Sequence, residues 1–346
     1  MHMIDFTPPF FTDECKGIGG SIKNSPEDFK VDEIPAYEPE GQGEHLFIRL
    51  TKKGITTKEV QKALAKLFET KRRDVDFAGI KDKHALTTQT FSVWLLRKQD
   101  PERIHHLKEM LPVTIHSYAF HPRKIKKGHL IGNHFDIKIR NLSMPIEEAY
   151  QHAQKTIEQI HSKGLPNYYG DQRFGVDGDN ALQGWEVLKG ERKIPNKWLK
   201  KFLISSFQSQ LFNYYLNQRI LDGFYEKLIN GDIAKKHDTG GMFVVENLDE
   251  EQKRLEQKKI CFTGPMFGKK MTAAHEASHE FEQRILTESG VTEEDFRREK
   301  VTGTRRAGII LPQVEIHKEE DGLRVNFDLP KGSFATVVLR ELMKNE

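Results

Sequence analysis

The order of apolar and polar positions along the chain predicts strands in the first part, helices in the middle and a strand near the end. Alternation with a period of two is typical of strands with one buried face. It is clearest at residues 134–140, where Phe135, Ile137 and Ile139 alternate with charged side chains. Other strands are predicted at residues 45–50, 75–80, 90–96 and 323–329.

Helical spacing first appears after Thr56, which forms a capping box with Glu59 ahead of apolar residues three and four positions apart. From about residue 147 the pattern is mainly helical, and helices are predicted at 205–221 and 276–285. A short final helix is predicted after the turn at residues 330–332. We interpret this order as an α+β domain interrupted by an inserted, mainly helical domain.

Length and composition agree with that interpretation. A chain of 346 residues favours two domains at about 150 residues each. Charged residues make up 30% of the chain and hydrophobic residues 37%, which predicts modest cores under a heavily solvated surface. The formal net charge of +3 is weak evidence for nucleic-acid binding, so any local basic run matters more than the total.

The two cysteines, Cys15 and Cys261, are too far apart in sequence to predict a disulfide framework, and no cysteine pair has metal-ligand spacing. The amino-terminal segment lacks the basic start and apolar run of a signal peptide. No apolar segment approaches the roughly 18 residues that would predict a membrane span. We therefore expect a soluble, cytoplasmic protein without a membrane anchor.

The loop 79–84 contains the first candidate for chemistry, because it places Asp82 between two predicted strands and between Lys81 and Lys83. Nearby positive charge favours the ionised form of a carboxylate. Such a group suits a nucleophile or a general base. A Lys-Asp-Lys sequence is also typical of a solvated charged turn, and this motif alone does not separate the two interpretations.

Three further segments are compatible with RNA contact. Residues 121–128 include four cations within five positions, which could follow a phosphate backbone or form an ordinary basic hairpin. Asn133 and Phe135 share one face of the next strand, where an amide can read a pyrimidine edge and a phenyl ring can stack or fill the core. In the aromatic segment 167–175, Arg173 could bind a phosphate or an internal carboxylate.

Together these segments resemble the TruD family of tRNA pseudouridine synthases. Residues 79–89 are similar to the family's signature, in which the aspartate is catalytic. Five other segments are similar to further family motifs in the expected order, namely 26–33, 124–135, 167–175, 305–307 and 329–336. Tyr169 stands where the family often has phenylalanine, and residues 235–300 match only loosely.

The resemblance implies a fold and a reaction. The fold is a pseudouridine-synthase catalytic domain with a mixed β-sheet, formed by residues 1–163 and 309–346, with a mainly helical α+β TruD domain inserted at 164–308. The reaction is the isomerisation of uridine 13 of tRNA to pseudouridine. We expect no cofactor, no metal and no obligatory protein partner, and a monomeric enzyme.

The resemblance also implies the site residues. Asp82 is expected to be the catalytic carboxylate, and Phe29, Asn133 and Phe334 are expected to form the uracil pocket. Lys23, ahead of the first motif, is expected to pair with Asp82.

Two alternatives come from other classes of protein. The sequence His275-Glu276-Ala277-Ser278-His279 has the HExxH form of a zinc hydrolase, in which a helix holds both imidazoles one turn apart. Its flanking residues do not give the apolar face of a buried active-site helix. The second alternative is a non-catalytic RNA-binding protein that keeps the fold, for which a carboxylate at Asp82 is not required.

Overall fold

The computed structural model describes residues 6–95 and 100–345, and the chain divides into two compact units. The sheet unit comprises residues 14–161, 312–335 and 342–346. The helical unit comprises residues 162–311 and 336–341, together with the segment that ends at residue 13. The amino-terminal residues 1–5 and Leu96, the predicted end of the strand 90–96, lie outside the described residues.

The elements follow in chain order. The strands are β1 Gly19–Ser21, β2 Phe29–Pro35, β3 His45–Lys53, β4 Val75–Phe77, β5 Leu86–Trp94, β6 Val113–His121, β7 Leu130–Leu142, β8 Leu165–Pro166, β9 Ile233–Lys236, β10 Met242–Val244, β11 Ile260–Met266, β12 Thr304–Ala307, β13 Ile309–Ile310, β14 Glu315–Glu319 and β15 Gly322–Pro330. The helices are α1 Thr57–Leu67, α2 Leu107–Met110, α3 Ile146–Lys163, α4 Asn180–Lys189, α5 Lys197–Leu221, α6 Leu248–Glu256, α7 Glu276–Ser289, α8 Glu293–Arg298 and α9 Ala335–Met343.

The described part of the sheet unit contains a nine-stranded mixed sheet. Its main path is β14-β15-β7-β2-β5-β3-β6, with β1 on β7 and β4 on β5. The β2–β5 pair is parallel, and the other pairs of this sheet are antiparallel. The long strand β7 lies between β2 and β15, so it joins the amino-terminal strands to the carboxyl-terminal hairpin. This mixed sheet fits the fold class predicted from the sequence.

The alternating pattern that predicted β7 and β15 reflects burial on one face. Ile137 and Ile139 of β7 are fully buried, and Val325 and Phe327 of β15 are at most 2% exposed. Both predicted strands are confirmed, although β7 extends beyond the predicted range at each end. Lys138 is also buried, and its ammonium group pairs with Glu319.

Helix α1 begins as the sequence predicts. The Thr56 side chain accepts a hydrogen bond from the Glu59 amide, and the Glu59 side chain caps the Thr56 backbone in return. Its apolar face includes Val60 and Leu64, which with Phe68 are fully buried in a core shared with β3 and β5. This helix therefore covers one face of the strands that flank the Asp82 loop.

The strand predicted at 75–80 is shorter in the structure. β4 ends at Phe77, and residues 78–80 belong to the loop that leads to Asp82. The Ala78 carbonyl accepts from the Gly128 amide of the β6–β7 connection and the Gly79 carbonyl accepts from the Gln89 side chain, so a loop and a side chain bind the backbone there instead of a neighbouring strand.

The described part of the helical unit contains several helices and two small sheets. Its four-stranded sheet has the order β10-β9-β11-β12, and β8 pairs with β13. Helix α5 begins eight residues before the predicted start, because the Asn196 side chain caps the amides of Trp198 and Leu199. A glycine is required where α4 meets α5, since a Cβ atom at Gly184 would lie 2.1 Å from the Leu203 carbonyl oxygen.

The chain passes from the sheet unit to the helical unit near residue 162 and returns near residue 311. These positions are two and three residues from the predicted domain boundaries at 164 and 308. The segment 336–341, which the prediction assigned to the catalytic domain, clusters with the helical unit. The functional domain boundaries stay a prediction. No helix in the described residues combines the length and the apolar character of a membrane span.

Candidate active site

The loop that carries Asp82 joins β4 to β5 and is held by two buried polar side chains. The Thr57 hydroxyl accepts a hydrogen bond from the Lys81 amide at 3.0 Å and donates to Gln89 Oε1 at 2.9 Å. Gln89 Nε2 in turn donates to the Gly79 carbonyl at 3.1 Å. Because Thr57 opens α1 and Gln89 lies within β5, the loop is tied to two packed elements.

Three donors reach Asp82 itself. Its Oδ1 accepts from the His84 amide at 2.9 Å, and its Oδ2 accepts from the Lys23 ammonium group. Its main-chain oxygen accepts from Lys52 Nζ at 2.6 Å. The Asp82 side chain is nevertheless 33% exposed. The carboxylate is thus oriented by the protein and still open to a substrate.

These contacts also decide the charge of Asp82. Burial alone would raise the pKa of its carboxyl group. The hydrogen bonds from Lys23 and the His84 amide, with the positive charge of Lys23, outweigh burial and bring the pKa below its ordinary value. Asp82 is therefore ionised at neutral pH, as the sequence predicted for an aspartate among cations.

Lys23 adopts an unusual backbone conformation to make its contact. Its φ angle of 62° lies in the left-handed region, which costs a residue with a Cβ atom roughly 1 kcal/mol or more. From there its ammonium nitrogen binds Asp82 and lies 4.5 Å from the centre of the Phe29 ring. Lys23 thus links the Asp82 carboxylate to Phe29, the first residue of β2.

Lys52 is a buried cation that sequence reasoning missed. It lies near the end of β3, and its relative exposure is 0%. Its ammonium nitrogen donates to the carbonyls of Asp82 and Ile55 at 2.6 and 2.8 Å. Burial lowers the pKa of Lys52 to about 8, although the charge of Asp82 acts in the opposite direction. Lys52 therefore holds the backbone of the loop from inside the protein.

The sequence contains a signal that could have identified Lys52. The inward-facing positions of β3 are Leu46, Ile48, Leu50 and then Lys52, all with a relative exposure of 0%. A lysine that continues a buried apolar register must find acceptors inside the protein, since an unpaired buried charge is costly. The pattern therefore indicates an internal partner, although it does not say which one.

A second buried group surrounds Asn133. Asn133 lies on β7 directly opposite Glu33 on β2, and its Oδ1 accepts a hydrogen bond from the Lys81 ammonium group. Lys81 also pairs with Glu33 Oε2 at 3.1 Å, and both side chains are less than 10% exposed. Lys81 thereby fixes the amide of Asn133 with its oxygen turned inward. The Asn133 Nδ2 group has no hydrogen-bond partner among the described residues.

Phe29 and Phe135 belong to an aromatic row within the sheet unit. Phe29 is 6% exposed and meets Phe135 edge-to-face at 6.3 Å between ring centres. Phe135 stacks on Phe327 at 5.4 Å and is 7% exposed. For Phe135, which the sequence left open between a base contact and the core, this packing favours the core.

The predicted site residues therefore fall into two joined groups. Lys23, Asp82 and Phe29 are brought together through the Lys23 ammonium group. Asn133 is tied to this group through Lys81, the residue before Asp82. Phe334 is half-buried and follows the end of β15 by four residues, directly before α9. Its place in the pocket stays a prediction.

The basic run lies in the connection between β6 and β7. Ile125 anchors it, since this side chain is buried and its amide donates to Ser92 Oγ at 3.0 Å. Lys124 pairs with Asp76 at 3.2 Å. Lys126 and Lys127 are exposed and form no ion pair within the described residues. These two cations are thus accessible to a phosphate.

The zinc-hydrolase alternative does not fit the local structure. His275 precedes α7 in an extended conformation, so the two histidines are not on successive turns of one helix. Ser278, between them, is buried and donates to Asp232 at 2.7 Å. Within the described ranges, no cluster of three or more His, Cys, Asp or Glu side chains has the arrangement of a metal site.

Comparison with known proteins identifies the family. The family model described as tRNA pseudouridine synthase D (TruD) matches residues 8–194 and 192–342. This chain belongs to the TruD family. The resemblance stated from the motifs is thus confirmed.

Individual TruD proteins are similar over nearly the whole chain. A tRNA pseudouridine synthase D of Thermus thermophilus is 41% identical, with 98% of this chain and 92% of the relative covered. That of Anaeromyxobacter sp. Fw109-5 is 38% identical, with 97% and 96% covered. A crystal structure of a TruD protein from Methanosarcina mazei matches with a TM-score of 0.77 at 25% identity, with 96% and 95% covered. The α+β fold class is confirmed by this match.

Proposed function

We propose that this TruD-family chain isomerises uridine 13 of tRNA to pseudouridine, as a monomer and without a cofactor, with Asp82 as the catalytic carboxylate. The observation that carries the proposal is the state of Asp82. Its carboxylate is ionised, bound by Lys23 and the His84 amide, and one-third exposed. Membership of a family of tRNA pseudouridine synthases supplies the substrate class.

The reaction requires little beyond such a carboxylate. The bond between C1′ and N1 of the nucleotide breaks, a bond between C1′ and C5 forms, and the proton lost from C5 is balanced by one gained at N1. Atoms and oxidation state are conserved, so no redox partner is consumed. Asp82 could attack the sugar, attack the ring or remove a proton on a glycal path, and each route uses the ionised form.

The uracil must stay in place while it is detached from the sugar. Enzymes that act on a base take it out of the stack and hold it by its edges and faces. In our proposal Phe29 and Phe334 supply the apolar walls. Lys23 is held against both Phe29 and Asp82, so the wall and the carboxylate keep a fixed separation.

Asn133 is proposed to read the uracil edge as a hydrogen-bond donor. Lys81 holds the amide oxygen, so the Nδ2 group is the part left for a ligand. A donor at this point suits a uracil carbonyl and not the amino group of cytosine. Lys81 and Glu33 would then be positioning residues that act through Asn133.

This role of Lys81 can be tested with a double-mutant cycle. We expect Asn133→Ala to lower kcat/KM by roughly 10- to 100-fold, or about 1.4–2.7 kcal/mol, which lies in the range for leaving a hydrogen-bonding group without its partner. Lys81→Met is combined with Glu33→Gln, because an unpaired buried Glu33 would itself destabilise the fold. The combined variant should lose a similar factor, measured by single-turnover pseudouridine formation.

The cycle is completed by adding Asn133→Ala to the Lys81 and Glu33 changes. If Lys81 acts through Asn133, the three changes together cost little more than Asn133→Ala alone. Fully additive losses would show that Lys81 does not act through Asn133. Thermal unfolding of each variant is the control for a general loss of structure.

The basic run gives a second prediction. Lys126→Gln with Lys127→Gln should weaken tRNA binding and reduce the slope of log K against log salt concentration by about two, one per lost phosphate contact. Lys62→Gln with Lys66→Gln on α1 makes the same charge change on exposed residues and is the matched control. An unchanged slope in the first pair would remove the basic run from the RNA interface.

The overall proposal is tested by mapping pseudouridine in unmodified bulk tRNA after incubation with the purified protein and no added cofactor. Conversion at position 13 is the expected result. A tRNA transcript with cytidine at position 13 is the matched substrate control. Absence of conversion in tRNA that demonstrably binds would contradict the proposal and favour a non-catalytic RNA-binding protein or another RNA target.

A further inference from the structure

The amino-terminal end of α5 carries an exposed aromatic side chain among cations. Trp198 is 72% exposed, about twice the 37% exposure of Trp94. Its ring is nearly parallel to that of Phe202, one helical turn later, with 5° between the planes and 5.5 Å between the ring centres. Much of the Trp198 ring therefore faces solvent.

The stacked pair of Trp198 and Phe202 is supported through Phe202. The Arg173 guanidinium group lies 5.5 Å from the centre of the Phe202 ring. Arg173 is itself fixed by the hydroxyl groups of Ser209, at 3.0 Å, and of Ser205. Its partners among the described residues are hydroxyl groups and rings, and not the internal carboxylate that the sequence offered as one alternative. Arg173 thus packs against the Phe202 ring on which Trp198 stacks.

The surrounding segment has more cations than carboxylates to pair with them. Residues 189–201 contain six lysines and arginines and one glutamate. Three of these cations are paired with carboxylates, Lys189 with Asp295, Arg192 with Glu186 and Lys200 with Glu299. The other three, Lys193, Lys197 and Lys201, are exposed and have no ion pair in the described part of the chain.

We propose that this surface, formed by Trp198 and Phe202 with Lys193, Lys197 and Lys201, binds an unpaired nucleotide of the RNA substrate. An aromatic ring can stack on any base, and cations beside it can bind the adjoining phosphates. Lys201 follows Trp198 by three positions and so lies beside the ring on the helix surface, and Lys197 is one turn before Lys201 on the same side of α5. The inference rests on the proposed RNA substrate but concerns a surface of the helical unit, whereas Asp82 belongs to the sheet unit.

The test measures tRNA affinity and turnover separately. Trp198→Ala should weaken tRNA binding by about 5- to 100-fold, the range for loss of one base stack. Trp198→Phe, which keeps an aromatic ring, should restore most of the affinity. The rate of pseudouridine formation at saturating tRNA should change by less than about twofold. Leu221→Ala, an exposed apolar residue at the other end of α5, is the matched control.

The cations are tested with a triple variant. Lys193, Lys197 and Lys201, each changed to Gln, should reduce the salt slope of binding by up to about three. The same change at Lys253, Lys259 and Lys269, exposed residues of the helical unit, is the control and should have a smaller effect.

The outcomes separate this inference from the proposed function. Normal tRNA affinity of Trp198→Ala, in a protein that converts uridine, would overturn the inference and leave the proposed function intact. Failure of the wild-type chain to bind or convert tRNA would instead overturn the proposed function. A Trp198→Ala variant that changes oligomeric state in sedimentation, with unchanged tRNA affinity, would assign the surface to a second copy of the chain and overturn the inference.

Discussion

Replacing Asp82 with asparagine is expected to abolish pseudouridine formation while leaving tRNA bound. Asparagine keeps the size of the side chain and can still accept the His84 amide, but it cannot act as an anionic nucleophile or base. Loss of an essential catalytic group of this kind lowers turnover by on the order of 10⁴-fold or more. The measurement is the single-turnover rate of pseudouridine formation with saturating enzyme.

The control for this variant is Asp32→Asn. Asp32 also pairs with a cation, Arg49, and lies on β2 one residue before Glu33, so its side chain faces the opposite side of the sheet. We expect the Asp32→Asn variant to keep its turnover.

Asp82→Asn should bind tRNA as tightly as the wild type or slightly more tightly, since it removes a negative charge. A large loss of thermal stability in Asp82→Asn would instead assign Asp82 a structural role.

The dependence of the reaction rate on acid pH follows from the contacts of Asp82. The pKa of Asp82 is below its ordinary value, so the carboxylate remains ionised as the pH falls to that of an unperturbed aspartate. Its contribution to stability is present above the unfolded-state pKa and is lost as the pH falls through the lower folded-state pKa. Rate and stability should therefore fall together only in acid well below neutrality.

Local patterns in the sequence predicted the elements around the site because their causes are local. The Thr56 and Glu59 capping box depends on residues three positions apart, and the alternation in β7 depends on one buried face. The end of β4 was not predictable in this way. It depends on Gln89 reaching the carbonyl of Gly79, a contact that exists only once β5 has folded beside the loop.

The roles of the candidate-site residues were predicted by resemblance, because the patterns around Asp82 and Asn133 left structural and functional interpretations open. The motifs supplied the roles of Asp82 and Asn133, and Lys23 was taken from a position ahead of the first motif, but no spacing rule shows that Lys81 turns the Asn133 amide. Contacts of this kind join residues that are dozens of positions apart, and single-sequence patterns carry no information about them. Lys52 is the exception, because a lysine in an otherwise buried register already indicates an internal partner.

Lys52→Met is expected to lower the single-turnover rate by roughly 10- to 100-fold without removing any group that touches the substrate. Lys52 binds the main-chain oxygen of Asp82, and a catalytic group displaced by about 1 Å can lose on the order of 10²-fold in rate. The adjacent Lys53→Met is the matched control, since Lys53 is exposed and pairs with Glu27. That variant should keep its rate.

The pH dependence distinguishes positioning by Lys52 from a general structural role. The folded-state pKa of Lys52 is about 8, below the ordinary value of 10.5, because burial disfavours the charged form. Between these values the unfolded chain binds more protons, so the unfolding free energy should rise with pH in this window. The rate should fall in the same window, because a neutral Lys52 amine binds the main-chain oxygen of Asp82 more weakly than the charged ammonium group does.

The rise in unfolding free energy and the fall in rate with increasing pH should both vanish in Lys52→Met. A folded Lys52→Arg variant should keep its activity at alkaline pH, because its guanidinium group stays charged. The measurements are single-turnover rates and chemical unfolding from about pH 7 to 10, the range that spans the Lys52 titration. If the wild-type rate and stability moved in the same direction across this range, or if Lys52→Met kept the wild-type alkaline limb, Lys52 would not be the group that positions Asp82. Opposite trends that disappear together would assign both to this one buried ammonium group.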